Sequence, residues 1–284
     1  MIAITGATGT VGAEVVRQLV ALGDRPRVLV RNVAASTALF GDNAEHVAVD
    51  LDQDATLGRA LDGADRVFIL TRQSLRQPDQ ERSIVEHAVR AGVAHLVKVS
   101  VFAADEQSPL RIAQQHGALE RVLKRSGIPA TILRPTYFMQ NLLRAVRAGE
   151  LRSGVGSGRV AMVDARDVAA AAVAALTGPV GRNTTYTLTG PRALSFDDVA
   201  DVLTDATGRP VRHRPAAPEG IRAATLRGGY EAWFGDDMAR LHALLADGYE
   251  DIVTDGVVAA TGTAPRALDE FARDFARSLR DAAA

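Results

Sequence analysis

Short apolar, β-branched runs alternate with amphipathic segments through the first half of the chain. Between the runs, apolar residues recur at helical spacing, as Val11, Val15, Val16 and Leu19 do. The runs themselves are continuously apolar, which is typical of strands that are buried on both faces. The pattern therefore predicts βαβ units and a parallel sheet between helices. The predicted strands are residues 2–5, 27–30, 46–49, 66–70, 96–99 and 130–133.

A glycine-rich turn, TGATGTVG, follows the first predicted strand and opens the first predicted helix. In a dinucleotide-binding turn, Gly6 would permit the tight bend, Gly9 would let the backbone approach a pyrophosphate, and Gly12 would let the helix pack on the strand. The N-terminus of the helix offers unpaired N–H groups and a partial positive charge to the phosphates. We therefore predict that the cofactor contacts Gly6, Thr8, Gly9, Thr10, Val11 and Gly12.

The ends of the next predicted strands indicate which dinucleotide is bound. The second strand leads into Arg31 and no acid follows it, which favours the 2′-phosphate of NADP(H) over the free ribose of NAD. A solvated loop arginine is the alternative for Arg31. Asp50 and Leu51 follow the third strand, where the adenine should pack, and Thr71 and Arg72 follow the fourth, near the nicotinamide side of the phosphates.

These signals predict an α/β fold, a Rossmann-type doubly wound parallel sheet with a smaller, mostly helical C-terminal part. We expect residues 1–155 to form the NADP(H)-binding domain. Residues 156–284 are expected to form a substrate-binding part that is interleaved with the sheet. Tyr230, Trp233 and Phe234 are its aromatic cluster, which is interpreted either as a lining of the substrate pocket or as a core patch.

Composition narrows the choice of partners. The chain has 284 residues, no cysteine, and a net charge of −1 from 33 basic and 34 acidic side chains. The balanced charge gives no reason to expect nucleic acid, and the absence of cysteine excludes a disulfide framework and thiolate metal sites. No apolar stretch approaches the ~20 residues that a membrane span needs, so a cytoplasmic protein is expected. No histidine pair has metal-ligand spacing, so no metal site is predicted.

Several motifs together resemble the NmrA-like type of atypical short-chain dehydrogenase/reductase, a group that includes triphenylmethane reductases and NADPH-dependent quinone reductases. The resemblance spans nearly the whole chain and implies an NAD(P)H-dependent oxidoreductase that transfers hydride to an apolar, conjugated or carbonyl substrate such as a quinone. A homodimer is a further expectation. The matching segments are TGATGTVG, Val30-Arg31, VKVS at 97–100, HGALE at 116–120, SGIPATILRP at 126–135, FMQN at 138–141, VDARDV at 163–168 and PRALDEF at 265–271.

One departure from this family concerns the proton donor. Typical members carry a Tyr-x-x-x-Lys pair, whereas Ile112 and His116 occupy the corresponding positions here. We predict that His116, Ser100 and Tyr137 are the catalytic side chains and that Ser100 and Pro135 also contact the cofactor. For His116 the alternative is a partly buried structural histidine, and for Tyr137 it is a packing role.

Two other functions remain open at this level. A non-enzymatic NADP(H) sensor that binds a protein partner would explain the missing Tyr-x-x-x-Lys pair. An epimerase that uses the nucleotide transiently is a weaker alternative. The compact C-terminal part favours an enzyme that acts on a small-molecule substrate.

Overall fold

A computed structural model describes residues 1–283, without the side chains of residues 54, 55 and 281–283. Its strands are β1 (Ile2–Thr5), β2 (Arg27–Val30), β3 (Glu45–Ala48), β4 (Arg66–Ile69), β5 (His95–Val99), β6 (Ala130–Pro135), β7 (Val146–Arg147), β8 (Glu150–Ser153), β9 (Arg159–Val160), β10 (Thr184–Leu188), β11 (Leu194–Ser195) and β12 (Arg212–Pro215). Its α-helices are α1 (Thr10–Ala21), α2 (Val33–Phe40), α3 (Asp54–Leu61), α4 (Gln77–Arg90), α5 (Arg111–Arg125), α6 (Leu142–Ala145), α7 (Ala165–Thr177), α8 (Phe196–Thr207), α9 (Pro218–Arg227), α10 (Ala232–Ala246), α11 (Gly256–Thr261), α12 (Leu268–Asp274) and α13 (Ala276–Ala283).

The main sheet has seven strands in the order β10-β6-β5-β4-β1-β2-β3. Strands β1 to β6 are parallel to one another. The chain runs outward from β1 to β3 and then returns to build β4, β5 and β6 on the other side. The order therefore reverses between β1 and β4, which is where ligands bind in open α/β sheets. The predicted fold class is confirmed.

The chain separates into two compact units, and the first contains residues 1–109, 113–134 and 168–186. Every residue of β5 is buried, although His95 and Lys98 interrupt its apolar sequence. Burial of this apolar surface is the main favourable contribution to folding. The core of the first unit combines strand and helix side chains, including Val67, Ile69, Leu96, Ile132, Leu57, Ile84, Val85 and Leu123.

The second unit contains residues 110–112, 135–167 and 187–284. It holds the small sheets β12-β8-β7 and β11-β9, with helices α8 to α13. Helix α8 begins with a capping box in which Ser195 Oγ accepts the N–H of Asp198 at 3.1 Å and Asp198 Oδ2 accepts the N–H of Ser195 at 2.9 Å. Phe196 and Phe271 are fully buried in its core.

None of the helices within residues 1–283 combines the length and the apolar character that a membrane-spanning helix requires.

Candidate active site

The glycine-rich turn joins β1 to α1, and each glycine has its own steric reason. Gly6 has a φ of +66°, and a Cβ there would lie 2.4 Å from the carbonyl oxygen of Leu70. A Cβ on Gly12 would lie 2.1 Å from the carbonyl oxygen of Gly6. A Cβ on Gly9 would meet just that same oxygen, at 3.3 Å. Gly6 and Gly12 are thus required by the fold, whereas the space over Gly9 is open to a ligand.

The start of α1 has the properties of an anion site. Gly9 is its N-cap and carries no side chain to satisfy the first N–H groups of the helix. Thr8 and Thr10 are exposed beside it. Thr5 fixes the turn, because its hydroxyl accepts the N–H of Leu70 at 3.0 Å and lies 3.1 Å from the carbonyl oxygen of Phe68. The open turn and the free N–H groups fit the pyrophosphate of a dinucleotide.

Arg31 follows β2 and is exposed. It makes no hydrogen bond or ion pair with any residue that the structure describes, so its guanidinium is available to a phosphate. The neighbouring Asn32 is the N-cap of α2, and its side chain accepts the N–H of Ala35 at 3.0 Å. After β3, the Asp50 carboxylate accepts the N–H of Asp52 at 3.1 Å and thereby shapes its own loop. Leu51 is half-buried next to it.

The end of β4 leads into a buried polar network that the sequence analysis missed. The Thr71 hydroxyl donates to Glu81 Oε1 at 2.8 Å. The other carboxylate oxygen of Glu81 lies 2.6 Å from Lys98 Nζ, and both side chains are only 1% exposed. Gln77 also donates to Glu81 Oε1, at 3.1 Å. A lysine inside an otherwise apolar strand was the available signal, since such a charge needs a buried partner.

Ser100, at the end of β5, belongs to a second network. Its hydroxyl donates to Glu120 Oε1 at 2.7 Å. Arg134 binds the same carboxylate through Nε at 2.9 Å and Nη2 at 2.6 Å. This hydrogen bonding with Glu120 raises the pKa of Arg134. Arg134 and Glu120 therefore fix the position of Ser100, whose proton is already donated.

His116 lies on α5 and is 1% exposed. Its Nε2 is 3.0 Å from the side-chain nitrogen of Gln73, whereas its Nδ1 has no hydrogen-bond partner among the described residues. Burial and the nearby Lys98 charge lower the pKa of His116 well below its usual value. The neutral imidazole is therefore favoured, and little imidazolium is present to act as a general acid. Gln73 Oε1 is also buried without a described partner.

Pro135, at the end of β6, is buried, and Tyr137 lies two residues further along the chain, in the second unit. The N–H of Tyr137 donates to Glu250 Oε2 at 2.7 Å. The Tyr137 ring packs edge-on against Phe196 and His242, with centroids 6.2 and 6.4 Å away. Burial and the Glu250 charge raise the pKa of Tyr137 to about 12, so the phenol stays protonated.

Glu250 is expected to make stability depend on pH. Burial raises its pKa from 4.5 to about 7, although the Tyr137 N–H opposes this. Because the folded pKa is raised, the folded state is favoured at low pH, and this contribution is lost as pH rises through about 7. As pH rises from roughly 5 to 8, the unfolding free energy of Glu250→Gln should therefore increase by about 2.5 kcal/mol relative to that of the native chain. Urea denaturation at both pH values measures this difference.

The control for that prediction is Glu219→Gln, which changes an exposed glutamate on α9. The control should follow the native pH profile. Parallel profiles for Glu250→Gln and the native chain would show that Glu250 is ionised without cost in the folded state.

A model of the NmrA-like family matches residues 1–246. A relative from Xenophilus azovorans, described as NAD(P)H azoreductase, is 38% identical over 98% of this chain and 99% of its own. Two solved structures align over nearly the whole length with 26% identity. One is the NADPH-dependent quinone oxidoreductase of Escherichia coli complexed with NADPH, with a TM-score of 0.85 over 97% of this chain and 99% of that chain. The other is triphenylmethane reductase of Citrobacter sp. complexed with NADP(H), with a TM-score of 0.81 over 99% of each chain.

Proposed function

The chain belongs to the NmrA-like family, and we propose that it transfers hydride from NADPH to a flat, conjugated acceptor such as a quinone or an azo compound. The sequence-based predictions of this family, of an NAD(P)H-dependent oxidoreductase and of NADP(H) as the cofactor are confirmed. The class of acceptor, the site residues and the division of roles along the chain are our proposals.

Two observations carry the proposal: the open space over Gly9 at the start of α1, and the exposed Arg31, which has no partner among the described residues. We assign the N-terminal N–H groups of α1, with Gly6, Thr8, Thr10 and Val11 around them, to the pyrophosphate. We assign Arg31 to the 2′-phosphate, since its planar fork matches phosphate oxygens.

The other proposed cofactor contacts follow strand ends of the same sheet. Asp50 and Leu51 take the adenine side, and Thr71 and Arg72 the nicotinamide side. Bound NADPH supplies the hydride.

At the acceptor end, we propose that these residues position the acceptor and donate hydrogen bonds to it, and that none of them acts as a general acid. His116 is neutral and can donate through Nδ1 in its present hydrogen-bonded arrangement, and the protonated Tyr137 phenol can donate as well. Ser100 is held by Glu120, and Pro135 is proposed to pack against the nicotinamide. A site without a strong proton donor favours acceptors whose reduced form takes its proton from water. Quinones and other conjugated acceptors have this property.

The test is NADPH oxidation, followed by absorbance, against a panel of quinones, azo compounds and triphenylmethane dyes. We expect turnover with at least one conjugated acceptor and little with simple aliphatic ketones. Tight NADPH binding without turnover of any acceptor would instead support the NADP(H) sensor.

Arg31→Asp is expected to weaken NADPH binding by about 100-fold and NADH binding by less than about threefold, because a charge-assisted phosphate contact is lost in one case only. Fluorescence titration of both nucleotides gives the two dissociation constants. Arg59→Asp is the control, since Arg59 is also exposed and lies on α3. Equal losses of affinity for NADPH and NADH would show that Arg31 does not bind the 2′-phosphate.

Three coarser proposals complete this function. We propose that residues 1–155 bind the nucleotide and that residues 156–284 contribute most of the acceptor site. We further propose a homodimer and a cytoplasmic location. Light scattering after size-exclusion chromatography tests the first of these two, and cell fractionation tests the second.

A further inference from the structure

Arg111 is an exposed cation without an anionic partner among the described residues. It is the first residue of α5, five residues before His116. Its guanidinium carbon lies 5.6 Å from the centroid of the Trp233 ring. It makes no ion pair or hydrogen bond with the residues that the structure describes. A positive charge in the first turn of a helix is disfavoured by the helix dipole, so the helix itself gives no reason for this arginine.

Trp233, whose ring Arg111 faces, carries a second unsatisfied group. Its ring packs on Phe234 with centroids 5.5 Å apart, and Phe234 packs on Tyr230 at 4.8 Å. The Trp233 Nε1 atom is buried and has no acceptor among the described residues. Buried indole N–H groups usually have a hydrogen-bond partner, so this donor calls for one.

Asp236 and Asp237, the two carboxylates that follow Trp233 on α10, are bonded elsewhere. Asp237 Oδ2 accepts the N–H of Ile112 at 2.7 Å. Asp236 pairs with Arg222 at 2.6 Å. In the second unit, a charged donor therefore lies over an aromatic ring whose own N–H is buried, and neither donor has an acceptor among the described residues.

We propose that this cluster binds the acceptor substrate and selects flat aromatic compounds that carry an anionic substituent, such as an aryl carboxylate or aryl sulfonate. The rings of Trp233, Phe234 and Tyr230 pack against the aromatic body. The Arg111 fork and the Trp233 N–H take the oxygens of the anion. The inference rests on the proposed function, because it names the class of acceptor that the reductase prefers.

Binding can be tested without turnover, because Trp233 is the one tryptophan of the chain. Toluenesulfonate should change the tryptophan fluorescence saturably, whereas the neutral toluenesulfonamide should bind about tenfold more weakly. Arg111→Gln should weaken toluenesulfonate binding about tenfold and Arg111→Lys by less, since lysine keeps the charge. Arg125→Gln, at the far end of α5, is the matched control and should leave binding unchanged. Equal dissociation constants in the native chain and Arg111→Gln would overturn the proposal.

Turnover gives a second, independent measurement. The ratio of kcat/KM for naphthoquinone sulfonate to that for menadione should fall about tenfold in Arg111→Gln and stay constant in Arg125→Gln. Comparing each ratio with that of the native chain cancels the different reduction potentials of the two quinones. If no acceptor is reduced at all, the proposed function fails, and the fluorescence titration still decides whether the anion site exists. An unchanged ratio in Arg111→Gln would exclude Arg111 from substrate selection.

Discussion

Gly9→Val is expected to lower NADPH affinity by about 1,000-fold, or ~4 kcal/mol, with little change in the free energy of unfolding. The reason is geometric. The backbone at Gly9 has a φ of −84°, which any residue can adopt, and a Cβ meets one carbonyl oxygen at 3.3 Å. The fold thus accepts a side chain, but that side chain would fill the space that we assign to the pyrophosphate. NADPH fluorescence titration measures the affinity, and urea denaturation measures the stability.

Gly12→Ala is the matched contrast within the same turn. Its Cβ would lie 2.1 Å from the carbonyl oxygen of Gly6, so backbone must move. We expect a loss of about 3 kcal/mol in the free energy of unfolding, comparable to severe overpacking of a core. Native-like NADPH binding by Gly9→Val would show that the pyrophosphate does not occupy the space over Gly9, whatever Gly12→Ala does to stability.

The sheet could be predicted from the sequence because its strands are short apolar runs that alternate with amphipathic helical segments. The predicted runs 2–5 and 27–30 coincide with β1 and β2. The predicted run 130–133 ends two residues before the end of β6, which continues through Arg134 and Pro135. The difference arises because Arg134 binds Glu120, a partner that lets a charged residue extend a buried strand. The local sequence pattern predicts the apolar part of a strand. It does not predict the part that depends on a partner distant in the sequence.

The cofactor turn shares this predictability, since its glycines follow one another directly on β1. The proposed acceptor-binding residues could not be predicted in this way. His116 was equally compatible with a ligand and with a structural role, because its burial and its contact with Gln73 arise from packing between distant segments. Glu250 is 113 positions from Tyr137, and neither residue carries a local signal for the other. Polar networks of this kind depend on which side chains the completed fold brings together.

Lys98→Met is expected to destabilise the first unit by about 3–5 kcal/mol, because it leaves the Glu81 carboxylate buried without its cation. The pair is 1% exposed at both ends and joined at 2.6 Å, so water cannot replace the missing charge. Glu81 also holds Thr71 and Gln77, so the loss should extend to the end of β4. Urea denaturation of the native chain and the variant at neutral pH gives the difference.

The double variant Lys98→Met/Glu81→Gln decides why the single change is costly. A neutral glutamine can still accept from Thr71, and with both charges removed no ion remains buried. The double variant should therefore recover most of the stability lost in Lys98→Met, a coupling that a double-mutant cycle measures. If it is as unstable as the single variant, the cost lies in the packing of the lysine stem in β5 rather than in its charge. The Lys98–Glu81 pair would then contribute mainly by packing, and Thr71 would be positioned by the surrounding backbone rather than by Glu81.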